Sequence, residues 1–132
     1  MDYRDDPTIA PSAELLRRVH ESQIVPDRNA GRMRVSTSAF DNSSDGSPMS
    51  VSLLDELKAR GLGPEAVLLG YPALISITAG LARNCAQGVA REPTRDDPAH
   101  AVVFGEKTGS IKRKFAKQAK WVIPEAAPPL VE

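Results

Sequence analysis

Apolar positions fall in short runs separated by polar punctuation, so the chain predicts many brief elements rather than a few long ones. Behind Ser12, a residue type that caps helices, Ala13–Val19 places Leu15, Leu16 and Val19 at helical spacing and predicts a short helix. Pro26, Asp27, Asn29 and Gly31 then mark a turn. From Arg32 to Phe40, basic or hydroxyl residues alternate with Met33, Val35, Thr37 and Ala39, a period of two that predicts a half-buried strand. The next stretch, 41–48, is all turn chemistry: Asx side chains that bond nearby backbone, plus Gly46 and Pro48.

Met49–Val51 resumes as a strand, and Ser52 with Asp55 opens a helix that runs through Arg60 and stops at Gly61. Pro64 sits at a first helical position and predicts a second short helix through Leu69. Ala73–Ile77 is an apolar run whose β-branched Ile75 and Ile77 favour a strand. Thr78 caps a helix over Ala79–Ala86, and Val89–Glu92 forms another strand. The clearest pattern is last: a strand over His100–Gly105, a Gly-rich turn, a helix over Ser110–Lys120 and a short strand over Trp121–Ile123.

This order predicts an α+β, or irregular α/β, fold: one mixed sheet of about four to six strands with short helices. The 132 residues suit a single domain over 12–123, between a flexible acidic segment 1–11 and a flexible Pro-rich tail 124–132. Cys85 is the only cysteine, which rules out an internal disulfide and a cysteine zinc cluster. With no leader-like N-terminus and no apolar run long enough to span a membrane, a soluble cytoplasmic protein is expected. The abundance of Pro, Ala and Arg suggests a prokaryotic source.

Seventeen basic and 17 acidic residues cancel, so electrostatic preference must be local. Lys107–Lys120 holds five lysines and Arg113 with no acid, while the first half leans acidic. The helix in this run places Ile111, Phe115, Ala116 and Ala119 on one face and Lys112, Arg113, Lys114, Lys117 and Lys120 on the rest. The amides of Thr108, Gly109 and Ser110, with Lys107, Lys112, Arg113 and Lys117, form the candidate anion-binding set. It is not a phosphate-binding P-loop, because Glu106 precedes Lys107 where that motif requires glycine. Arg83, Arg91 and Arg95 would extend the basic patch if Val89–Glu92 pairs with His100–Gly105.

The candidate catalytic residues are His20, His100, Ser36 and Ser38, general-base and hydroxyl chemistry brought from distant segments. Ser36-Thr37-Ser38 after an upstream arginine resembles the R-S-E class of ADP-ribosyltransferases over these residues alone; the glutamate pair of that class is missing, since Glu92 and Glu106 stand singly. His20-Glu21-Ser22 is similar to one His-x-Ser element of the two-histidine phosphoesterases, without the second copy. No cofactor motif or metal-ligand set is present. The leading expectation is a non-catalytic module that engages a partner protein or anionic ligand through the basic helix. The alternatives are a small enzyme acting on a phosphate-bearing or nucleotide substrate and a nonspecific nucleic-acid binder; no membrane partner is expected.

Overall fold

The structure is a computed structural model that describes residues 2–130. It has the expected α+β class, with a six-stranded sheet, a separate two-stranded sheet and three short helices. The elements are β1 (Glu14–Val19), β2 (Ile24–Asp27), β3 (Arg32–Val35), β4 (Met49–Leu53), α1 (Leu54–Ala59), β5 (Ala73–Thr78), α2 (Ala79–Asn84), β6 (Gly88–Arg91), β7 (His100–Phe104), α3 (Gly109–Gln118) and β8 (Lys120–Ile123). The main sheet runs β6-β7-β4-β1-β5-β8, and β2 pairs with β3 alone.

Every neighbouring pair in the main sheet is antiparallel, where a mixed sheet was expected. Hairpins and single short helices reverse the chain between most strands, and adjacent parallel strands would need longer crossovers. Two long traverses cross the sheet: α2 lies on the path from β5 to β6 at the far edge, and α3 on the path from β7 to β8.

The largest departure from the sequence reading is β1. The helix expected over Ala13–Val19 is a central strand, paired with β5 along its whole length from Glu14↔Thr78 to Val19↔Ala73. Its apolar residues serve two cores. Leu15 and Val19 join one cluster with Val51, Ile75, Phe40 and Phe115, while Leu16 joins another with Leu54, Leu57, Val67 and Leu74. A strand covered on both faces loses the clean alternation that identifies strands in sequence.

The larger cluster lies beneath α2 and α3, where Phe40 and Phe115 meet edge to face at 5.8 Å. Ile111, Ala116 and Ala119 pack against this cluster beside the fully buried Phe115, so the apolar face of α3 is the one expected. The expected strand Arg32–Phe40 ends at Val35, because Ser36 caps a 3₁₀ turn over Thr37–Phe40 by accepting from the Ser38 amide. The expected helix after Pro64 is a 3₁₀ turn over Pro64–Val67.

The described parts of both terminal segments pack against the domain. Ile9 is buried in the core, and the Asp6 amide donates to the Val89 carbonyl at 2.8 Å. The Met33 amide donates to the Pro128 carbonyl at 2.9 Å, and Arg32 bridges to Pro129. Met1, Val131 and Glu132, which belong to the segments expected to be flexible, lie outside the described residues.

Candidate functional site

The turn between β7 and α3 uses much of its own chemistry internally. Thr108 is the N-cap, its hydroxyl accepting from the Ile111 amide at 3.2 Å. Lys107 folds back, its Nζ donating to Asn42 Oδ1 (2.7 Å) and to the carbonyls of Val103 (2.8 Å) and Gly105 (3.3 Å). Burial, and secondarily the Arg17 charge, lower the Lys107 ammonium to about 8. Lys112 pairs with Asp41 at 2.7 Å. Gly109 and Ser110 are exposed at the head of the helix.

Arg113 and Lys117 line a groove of about 630 Å³ between α3 and the β2–β3 hairpin, the Arg113 guanidinium also lying beside Gly109 at the head of the helix. Met33, Val35, Ala116, Ala119 and Trp121 contribute its apolar lining. Arg32 and Arg34 alternate with Met33 and Val35 along β3, so the arginines are exposed while the apolar pair is buried. The groove thus combines an apolar lining with four cations, and none of the four has an ion-pair partner among the described residues. Asp27 is the acidic residue of the lining, and its carboxylate accepts from the Ala30 amide.

β6 does pair with β7, as the extended basic patch required. Two of the arginines assigned to that patch nevertheless have acidic partners: Arg83 holds Asp5 at 3.0 Å, and Arg91 holds Glu56 at 2.7 Å and Asp6 at 3.2 Å. They secure the N-terminal segment and α1 instead of enlarging the patch.

His20 and His100 share a second concavity, a cleft of about 90 Å³. It lies where β1 and β4 separate: the two strands pair only at Leu15↔Leu53 and Leu16↔Ser52. The Arg17 guanidinium sits in the split, donating to the Ala39 carbonyl at 2.9 Å and the Ser50 carbonyl at 2.8 Å. Burial and then the neighbouring Arg18 charge lower its affinity for the proton, while Tyr71 and Asp41 oppose them. Arg18 lies over the Tyr71 ring, 5.1 Å from its centroid, and the His20 ring is 4.8 Å from the same ring.

On the opposite wall, His100 Nδ1 bonds the Glu92 carbonyl at 2.7 Å. A carbonyl only accepts, so Nδ1 carries the proton and Nε2 is left without a partner among the described residues. Asp97 accepts from the Ser52 hydroxyl at 2.6 Å and the Ala99 amide at 3.0 Å. Ser36 and Ser38 lie outside the cleft, their hydroxyls 3.0 Å apart. Gln23, which lines the cleft, reaches the Ser38 carbonyl at 3.2 Å, but no serine hydroxyl of that turn joins the histidines.

The sequence reading missed the cleft roles of Arg18, Tyr71 and Ser52 and the placement of Arg17. A signal was present: on a strand, Arg17 shares a face with Leu15 and Val19, and a cation on an apolar face needs a reason. Cys85 is buried and unbonded. Among the described residues, no group of three or more His, Cys, Asp or Glu is placed to hold a metal, and no helix is long and apolar enough to cross a membrane. No family model, curated protein or solved structure matches the chain.

Proposed function

We propose that the protein is a non-catalytic binding module that takes an acidic, partly apolar segment of a partner protein into the groove between α3 and β3. One observation carries the reading: Arg32, Arg34, Arg113 and Lys117 surround an apolar lining and have no ion-pair partners among the described residues. Apolar burial supplies affinity in such a groove, and the cations select for acid and speed encounter. A nucleic-acid strand would find little to stack on, since Trp121 is the sole aromatic of the lining.

Trp121 is also the only tryptophan of the chain and therefore reports on the groove directly. A synthetic peptide alternating Glu and Leu is expected to shift its emission saturably, with affinity falling as salt rises. Arg34→Glu combined with Arg113→Glu should abolish the response. A Lys-Leu peptide that binds equally well, or no response to the acidic peptide, would overturn the proposal. Preference for an oligothymidine strand would transfer the groove to nucleic acid.

A further inference from the structure

The cleft between β1 and β4 is separate from the groove and has different chemistry. We infer that it is a binding site for one small oxyanion, of the size of phosphate or sulfate or the carboxylate of a small acid. The inference does not depend on what occupies the groove.

Three observations converge on this ligand class. The first is the charge of the walls. Arg17 and Arg18 both line the cleft without a carboxylate in salt-bridge contact, and Asp97, the acid of the lining, already accepts from Ser52 and the Ala99 amide. A desolvated guanidinium on which Asp41 acts only from beyond salt-bridge contact keeps a positive field that a small anion would neutralise.

The second is the supply of groups able to donate. Arg17 is held by two backbone carbonyls, so its position is fixed before any ligand arrives. Arg18 is held against the Tyr71 ring, and the Tyr71 hydroxyl has no hydrogen-bond partner among the described residues. His20 stands beside Tyr71, while His100 has its ring orientation set through Nδ1. Such prior fixation lowers the ordering cost of binding.

The third is size. At about 90 Å³ the cleft is far below the roughly 300–1,000 Å³ of pockets that enclose a drug-sized molecule. A single oxyanion fits those dimensions; a whole nucleotide does not.

The test uses the full chain with inorganic phosphate, followed by isothermal calorimetry and phosphorus NMR line broadening. Saturable one-to-one binding is expected, with sulfate and acetate as competitors that separate a tetrahedral from a carboxylate preference. Arg18→Gln should weaken phosphate at least about tenfold, the loss of one charge-assisted contact. Tyr71→Phe, which keeps the ring beneath Arg18, should weaken it to a lesser degree. Lys114→Gln, which removes an exposed charge outside both concavities, should leave phosphate binding unchanged. Circular dichroism melts confirm that each variant is folded. Absence of saturable binding by all three anions, or equal loss in Lys114→Gln and Arg18→Gln, would overturn the inference, as would undiminished binding in folded Arg18→Gln.

Discussion

The Arg17 guanidinium donates to the Ser50 carbonyl at 2.8 Å across the gap where β1 and β4 cease to pair. The same side chain reaches the Ala39 carbonyl at 2.9 Å, so one fork ties the turn over Thr37–Phe40 to the central sheet. Its position explains why the cleft exists. The strands diverge, and a charged side chain takes the place of ladder hydrogen bonds.

Replacing Arg17 by Leu should therefore cost stability. Two carbonyls lose a charged donor, and an expected loss of about 2–4 kcal/mol follows from the value of such bonds and the penalty for unpaired acceptors. Lysine should recover little, because an ammonium does not present two donors in a fixed fork. Urea denaturation of R17L and R17K checks both.

Lys107 gives a pH dependence. Its ammonium is lowered to about 8 by burial and by Arg17, against an ordinary value of 10.5. Between these values the unfolded chain holds more protons at this site than the folded one, so its contribution makes stability rise with pH across that window. Below about 8 the cost of holding the charge is fully present. Partial exposure of the side chain keeps the effect modest. NMR titration of Lys107 Nζ should give a midpoint near 8 that moves upward in a folded Arg17→Gln variant.

Gly105 should tolerate no side chain. Its φ is +132°, and an added Cβ would lie 2.9 Å from the amide end of the buried Gln87. That amide also anchors the turn by donating to the Glu106 carbonyl at 2.8 Å. Gly105→Ala is expected to cost about 1–3 kcal/mol. Gly31→Ala, at φ +70° in open space, should cost about 1–2 kcal/mol from backbone conformation alone. Paired thermal melts should show the larger loss at Gly105, where the contact with Gln87 adds to the backbone cost.

Thr108→Ala should remove about 1 kcal/mol by uncapping α3, and Thr108→Ser should restore most of it. Because α3 forms one wall of the groove, the alanine variant should also broaden the amide NMR signals of its first turn. Unchanged signals and an unchanged melt would remove Thr108 from this role.

Local rules made the second half of the chain legible. Thr78 and Thr108 cap the helices expected after them, and β7, α3 and β8 follow in the expected order. The same rules failed at β1, since Leu15, Leu16 and Val19 fit a helical face as well as a strand with cores on both sides. They also passed over β2, where Pro26 marks a turn in sequence yet lies in a strand of a two-stranded sheet, a position that spares a missing amide. The sharing of one cleft by His20 and His100 was a candidate in the sequence but not fixed by it. It depends on β7, β4 and β1 lying side by side, which no local pattern encodes.

The packing of the chain ends bears on self-association. At β6 the N-terminal segment occupies the Val89 backbone from both sides of its chemistry, Asp6 donating to the carbonyl and the Asp5 carboxylate accepting from the amide. At β3 the tail engages the Met33 amide through Pro128. Open strand edges are templates for pairing with another molecule, and these contacts close parts of two of them. A proline-bearing tail is well suited to this, because it can accept from one strand while offering few amides to the next. The two segments thus cover backbone at β6 and β3 that another strand would otherwise find open.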